Sequence, residues 1–213
     1  MGLKVNDLLK INDVSDLIGD FTDALWINEA VKRAPFVVVR RAPLINDVVP
    51  VGIRGTNRSE RCAATILCSS IVANIMPEQL TEGKLWRTNK HIRETHIFKT
   101  LEIVDSILEG YGMVWGPTGS VGFELASGIE TVTDTSDLDI IIRAESFLSV
   151  KTARDIIEEL SKVTAKMDIQ LETPKGSMAL AEYARGNSPV LVRTFNGPKL
   201  VKNPWYEDEI LEG

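Results

Sequence analysis

Residues 116–142 read GPTGSVGFELASGIETVTDTSDLDIII and combine a Gly-Ser turn with two closely spaced carboxylates. Asp137 and Asp139 stand two residues apart at the start of an apolar strand, so we expect their side chains to project to the same side. Adjacent carboxylates repel each other unless a cation lies between them. Such oxygen ligands suit Mg²⁺, which commonly takes one or two carboxylates together with substrate phosphates. The stretch therefore predicts a divalent-metal site, with Mn²⁺ as the alternative ion.

Gly119 and Ser120 lie upstream of this pair, where the pattern predicts that a short helix opens. Backbone N–H groups at such a helix start, together with a serine hydroxyl, are suited to binding phosphate. A phosphate-binding turn beside a metal-binding pair is typical of phosphoryl or nucleotidyl transfer. We therefore predict that both residues bind the phosphates of a substrate.

Asp168 supplies a third carboxylate, at the start of the next apolar strand, Met167–Thr173. If that strand lies beside residues 138–143, the three acids converge on one site. The third acid would then ligate a metal and accept a proton from the attacking hydroxyl. An isolated Asp-x-Asp is weak support by itself, because a solvated turn entering a strand has the same pattern.

Four cationic residues are candidates for binding phosphate or an acidic partner. The charge that develops on a leaving pyrophosphate must be neutralised, and Lys175 and Arg193 are candidates in the second half of the chain. Arg40 and Arg61 belong to a local excess of arginine in the first half. The planar guanidinium fork suits phosphate oxygens, although a single surface arginine needs no function.

The composition is that of an ordinary globular protein, with 44% hydrophobic and 25% charged residues among 213. A net charge of −6 argues against a broad nucleic-acid-binding surface. The first residues lack a signal-peptide pattern, and no apolar run approaches the length needed to span a bilayer. We expect a cytoplasmic protein without a membrane or nucleic-acid partner.

The periodicity predicts an α+β protein, with an N-terminal domain over residues 1–82 and a catalytic domain over residues 83–213. The first domain is predicted to be smaller and helix-rich, with a short β element: helices over 5–11, 17–31 and 57–75, and strands over 36–39 and 48–53. The second is predicted to form a mixed sheet with flanking helices. Its predicted elements are helix 95–108, strand 113–115, a helix ending at Gly128, strand 138–143, helix 150–163, strand 167–173, helix 178–185, strand 190–194 and a hairpin at Asn196-Gly197.

Several longer blocks resemble one family over nearly the whole chain. They are PFVVVRR (35–41), VPVGIRG (49–55), WGPTGSVGFELASG (115–128), SDLDIII (136–142), MDIQLETPKGSMALAEYARG (167–186) and RTFNGPKLVKNPW (193–205). The chain resembles the malonate decarboxylase holo-acyl-carrier-protein synthases, which are phosphoribosyl-dephospho-CoA transferases. The catalytic half of that family is similar to the polymerase-β-like nucleotidyltransferases.

The resemblance implies an activity and a set of partners. Such an enzyme takes 2′-(5″-triphosphoribosyl)-3′-dephospho-CoA and attaches its phosphoribosyl-dephospho-CoA part to a serine of the malonate decarboxylase acyl carrier protein, releasing pyrophosphate. The acidic pair of the family falls on Asp137 and Asp139, and its Gly-Ser turn on Gly119 and Ser120. The inclusion of Asp168 rests on strand geometry rather than on the resemblance.

Two other functions use the same residues differently. A general nucleotidyltransferase that moves AMP to a small molecule or protein would need the same three acids and would turn over ATP. A non-catalytic assembly factor for the decarboxylase would tolerate the loss of Asp139.

Overall fold

A computed structural model describes residues 2–43, 45–57, 59–88, 95–133 and 135–206. Its strands are β1 Leu8–Lys10, β2 Leu17–Ile18, β3 Phe36–Val39, β4 Val48–Arg54, β5 Arg61–Leu67, β6 Ala73–Ile75, β7 Val114–Pro117, β8 Leu138–Arg143, β9 Met167–Thr173, β10 Gly176–Ala179, β11 Val190–Thr194 and β12 Gly197–Val201. Its α-helices are α1 Trp26–Arg33, α2 Pro77–Glu82, α3 Leu85–Thr88, α4 His96–Gly110, α5 Gly119–Ser127, α6 Val150–Leu160 and α7 Leu180–Ala184.

The chain forms two compact units, each with its own sheet. One unit consists of Met1–Ile92 and Ser120–Val132, and the other of Arg93–Gly119 and Thr133–Gly213. Residues 120–132 thus belong to the same unit as the first part of the chain, although they follow it by many residues. The division into domains 1–82 and 83–213 stays a prediction from the sequence.

The first unit contains a sheet with the strand order β2-β5-β4-β3-β1-β6, in which the described pairs are antiparallel. One face of this sheet packs against α1, whose Ile27 and Val31 are buried. Alternate residues of the central strands complete this core, since successive strand side chains point to opposite faces. The core residues from the strands include Leu9, Val37, Val39, Val49, Val51, Ile53, Ala64 and Ile66.

The helix-rich character predicted for the N-terminal domain is wrong. The predicted helix over 5–11 contains strand β1, and the predicted helix over 57–75 contains β5 and β6. The predicted helix over 17–31 begins only at Trp26, because Asp20 forms a local turn instead. The Asp20 carboxylate accepts hydrogen bonds from the Thr22 backbone N–H at 3.1 Å and from its hydroxyl at 2.6 Å.

Helix α5 packs on the other face of the first sheet. Phe123 of α5 forms a buried cluster with Leu8 and Ala34. Its ring also meets the ring of Phe36 edge to face, with the centroids 6.4 Å apart. This outer face of the first sheet is therefore apolar where α5 lies on it.

The second unit contains a mixed sheet with the strand order β12-β11-β10-β9-β8-β7. Strands β8 and β9 are parallel, whereas the other described neighbours are antiparallel. Helix α6 connects the two parallel strands, as such a crossover requires. Leu138, Ile140 and Ile142 are buried on one side of β8, and Ile169 and Leu171 on the same side of β9.

The predicted α+β class is confirmed, and so is the mixed sheet with flanking helices. The elements predicted in the second half are present with small shifts at their ends. The predicted helix over 178–185 begins as strand β10 and becomes helix α7 at Leu180. The predicted Asn196-Gly197 hairpin joins β11 to β12, with Thr194 opposite Gly197. Within the described ranges, no helix has the length and apolar character that crossing a bilayer requires.

Replacing Leu171 by alanine should destabilise the protein strongly. The Leu171 side chain is fully buried on β9, so its truncation leaves a cavity and should cost about 2–5 kcal/mol of the free energy of unfolding. Leu200→Ala on β12 is the matched control, because that side chain is 66% exposed. Denaturant unfolding measures both variants. Equal losses in the two would contradict the assigned core.

Candidate active site

Asp139 and Asp168 lie directly beside each other on adjacent strands. They are register partners in the parallel pair β8–β9, so their side chains project to the same face of the sheet. Asp139 is partly buried and Asp168 is exposed. The predicted adjacency of these two strands is confirmed, whereas the chemical role of each acid stays a prediction.

Gly119, the first residue of α5, lies against Asp139. Gly119 has a φ of +58°, and a methyl group built on it would overlap the Asp139 carboxylate oxygen Oδ2. The neighbouring Thr118 N–H donates to the Asp139 carbonyl oxygen at 2.8 Å. Only glycine satisfies both the left-handed backbone and the close approach. The glycine and the aspartate that the sequence motif combines are therefore in direct contact in the structure.

Asp137 has a cationic neighbour that the sequence reasoning missed. The Lys166 ammonium donates to its Oδ2 at 2.9 Å, and the Leu138 N–H donates to the Lys166 carbonyl, also at 2.9 Å. The side chains of Lys166 and Asp137 are 80% and 22% exposed, so an ion pair of this kind is worth at most about 1 kcal/mol. The parallel register of β8 and β9 accounts for this contact, because it pairs Leu138 with Met167 and so places Asp137 opposite Lys166.

The acidic residues can be tested against a divalent metal. Among the residues that the structure describes, no three His, Cys, Asp or Glu side chains are arranged to hold one ion. The three predicted acids are therefore not a ready-made three-ligand site. Asp139 and Asp168 still fit Mg²⁺ or Mn²⁺ bound in part by a substrate, since Mg²⁺ usually takes one or two carboxylates plus phosphates and water.

Ser120 and Glu124 belong to the first unit. Ser120 is buried, and its carbonyl accepts a hydrogen bond from the Thr131 hydroxyl at 2.9 Å. Glu124 is 2% exposed, and its Oε2 accepts the backbone N–H groups of Thr131 and Val132, both at 2.7 Å. Glu124 thus fixes the segment that follows α5. The sequence signal for this structural role was an acid inside the apolar run VGFELA.

The structure places three arginines on the outer face of the first sheet. Arg54 and Arg61 are register partners on β4 and β5. The side chain of Arg40 lies over Gly52, where an added methyl group would be 3.4 Å from its Cδ. Gly52 and Arg54 share a face because they are two residues apart on one strand. Arg40 and Arg61 are exposed, so this arginine face is accessible to anions.

Lys175 and Arg193 are not brought to the acids. Lys175 lies in the turn after β9, at the opposite end of that strand from Asp168. Arg193 is in register with Ser177, which pairs with Glu172. Glu172 is four residues along β9 from Asp168, or roughly 13 Å. The prediction that these two cations share a site with the acids therefore finds no support in the sheet geometry.

The described residues define an α+β protein whose mixed sheet presents two register-matched aspartates beside a glycine turn. Comparison with known proteins identifies the family. The model of the phosphoribosyl-dephospho-CoA transferase MdcG N-terminal domain matches residues 4–77, and the model of the corresponding C-terminal domain matches residues 84–204. The chain belongs to the phosphoribosyl-dephospho-CoA transferase family.

Curated relatives agree with this assignment. A phosphoribosyl-dephospho-CoA transferase of Pseudomonas putida is 36% identical over 94% of each chain. One of Pseudomonas syringae pv. tomato is 35% identical over 87% of this chain and 86% of its own. One of Azotobacter vinelandii is 34% identical over 85% of each chain. No solved structure matches the chain. The protein is therefore a transferase related to these enzymes.

Gly119→Ala should impair transferase activity by about 10²-fold, because the new methyl group must displace the Asp139 carboxylate and small misplacements at a reacting centre are costly. Gly112→Ala is the matched control. Gly112 also has a positive φ, +64°, but has no neighbour within 4 Å of an added methyl group. Steady-state transfer assays compare the two variants. Similar activities would show that the contact with Asp139 is unimportant.

Proposed function

We propose that this protein transfers the phosphoribosyl-dephospho-CoA group from 2′-(5″-triphosphoribosyl)-3′-dephospho-CoA to a serine of the malonate decarboxylase acyl carrier protein. Membership of the transferase family supports the donor. The observation that carries the proposal is the pair Asp139 and Asp168, in register and adjacent to Gly119. Carboxylates that meet a glycine turn in this way suit a polyphosphate substrate.

The proposed reaction exchanges a phosphoanhydride bond for a phosphodiester bond. The carrier serine oxygen attacks the α-phosphorus of the donor triphosphate, and a new P–O bond forms to the serine. The bond between the α-phosphorus and the bridging oxygen breaks, and pyrophosphate leaves with that electron pair. The serine proton passes to a general base, so the products are the modified carrier and pyrophosphate.

The predicted acids and the Gly119-Ser120 turn take the roles in this proposal, whereas Lys175 and Arg193 take none, because the sheet register places them away from the acids. Asp139 and Asp168 would hold Mg²⁺ or Mn²⁺ together with the substrate phosphates, and Asp137 would join them as a further ligand. Asp168, which is exposed beside Asp139, would also accept the serine proton. The metal, when bound, supplies charge neutralisation at the triphosphate. Gly119 and Ser120 would orient the distal phosphates. Lys166 would release Asp137 readily, since an exposed ion pair of this kind is weak.

Asp139→Asn should lower the transfer rate by at least about 10²–10³-fold, because it removes a carboxylate charge that would hold the metal at the triphosphate. Mass spectrometry of the apo carrier protein, incubated with donor and Mg²⁺, measures the transfer. Asp155→Asn on α6 is the matched control, because Asp155 pairs with Lys151 on the helix surface. Full transfer by the Asp139 variant would overturn its assignment.

The same assay separates the proposed function from its alternatives. Turnover of ATP, with no requirement for the dephospho-CoA donor, would favour a general nucleotidyltransferase that transfers AMP. Stable binding of the carrier protein, unaffected by the loss of Asp139 and without any transfer, would favour a non-catalytic assembly factor. Modification of the carrier serine with release of pyrophosphate supports the proposal.

The arginine face is proposed to bind an anionic substrate, either the donor or an acidic carrier protein. Arg40→Ala combined with Arg61→Ala should raise the Michaelis constant for one of these substrates by about tenfold or more, because each lost charge-assisted contact is worth about 1.5–3 kcal/mol. Lys32→Ala combined with Arg33→Ala on α1 is the control for lost surface charge. Unchanged Michaelis constants for both substrates would refute this role.

A further inference from the structure

The second unit has a groove between helices α4 and α6 that the proposed chemistry does not use. Its cavity measures about 530 Å³. The lining residues come from α4, from the end of α6 and from the loop that follows it: His96, Lys99, Thr100, Ile103, Ile107, Glu159, Lys162, Val163 and Thr164. This set, named here the α4–α6 groove, combines an apolar floor with a charged rim.

The apolar floor runs along one side of α4. Ile103 and Ile107 are one helical turn apart, so they form a continuous strip. Ile103 is 52% exposed, which is unusual for isoleucine, and Val163 lies half-buried across the groove. A strip of this shape between two helices resembles the grooves that accept the apolar side of an amphipathic helix.

The rim of the groove is mainly cationic. Lys99 and Lys162 line it and are exposed, and the exposed His96 ring lies 3.1 Å from the Thr164 hydroxyl. The lining acid, Glu159, already accepts a hydrogen bond from the Tyr111 hydroxyl at 2.7 Å. That bond to a carboxylate is the main reason that the pKa of Tyr111 is raised to about 12, so Tyr111 remains a donor at neutral pH.

The groove ends close to the acidic residues. Thr164 lines the groove, and Lys166, two residues later, bonds to Asp137. The same short loop leads directly into Asp168 at the start of β9. A protein bound in the groove is therefore held next to the end of the sheet where the acids lie.

We infer that the α4–α6 groove docks an acidic amphipathic helix of the acceptor protein, an inference that rests on the proposed function. The two lysines complement acidic residues on such a helix, while Ile103 and Ile107 contact its apolar side. The chain itself carries a net charge of −6, so this patch departs from the overall charge in the direction that an acidic partner requires.

Charge reversal tests the inference. Lys99→Glu combined with Lys162→Glu should raise the Michaelis constant for the apo acyl carrier protein by about tenfold or more, while kcat and the Michaelis constant for the donor stay unchanged. The rise of the carrier's Michaelis constant with added salt should become smaller in this variant, because the attraction that salt screens has been removed. Lys151→Glu combined with Lys202→Glu makes the same change of charge on exposed residues outside the groove and should have little effect. Ile103→Ala removes exposed apolar contact without a change of charge and should also weaken carrier binding.

The outcomes separate this inference from the proposed function. If the unaltered protein modifies the carrier and the groove variants do so with an unchanged Michaelis constant for the carrier, the groove assignment is wrong and the proposed function stands. If the unaltered protein neither binds nor modifies the carrier, both fall. Equal weakening by the groove and control pairs would show a nonspecific charge effect and would also overturn the groove. Thermal unfolding midpoints close to that of the unaltered protein establish that each variant is folded.

Discussion

The parallel pairing of β8 with β9 is the constraint on which the candidate site depends. A slip of one residue between two strands would send every side chain of one strand to the opposite face of the sheet. The buried residues of the pair, among them Ile140 and Leu171, would then lose their core positions. Burial of these apolar side chains therefore holds Asp139 and Asp168 side by side, although the pairing places two like charges next to each other.

The surroundings of this pair offset part of that repulsion. Asp168 is exposed to water, which screens its charge, and Lys166 brings a cation to the neighbouring Asp137. The Gly119 backbone lies so close to the Asp139 carboxylate that a side-chain methyl group between them would overlap it. The contact of Asp137 with the exposed Lys166 ammonium is worth little. We expect a weakly held ion pair of this kind to exchange one cation for another, which the proposed binding and release of an anionic substrate with a metal would require.

The sequence predicted the second half of the fold far better than the first. Strand β8 contains three consecutive isoleucines, and β9 alternates apolar and polar residues, so both sequences favour a strand. In β5, by contrast, Ala63 and Leu67 are apolar but exposed. The sequence therefore does not show the alternation of buried and exposed residues that places Ala64 and Ile66 in the core. The pattern therefore suggested helical spacing. The structure of this segment depends on its pairing with β4 and also with β2, which lies far earlier in the chain.

The same reasoning explains which site residues the sequence could predict. The sequence predicts the aspartates because Asp137 and Asp139 are two residues apart and because the pairing of β8 with β9 brings Asp168 beside Asp139. Lys175 and Arg193 were predicted from charge alone, and the register of β9, β10 and β11 carries them away from the acids. At physiological salt, charges separated by more than about 8 Å are largely screened, so a net charge does not decide what a local patch binds. A protein with a negative net charge can therefore still carry local cationic patches, and this is why the arginine face and the α4–α6 groove are proposed to bind anionic partners.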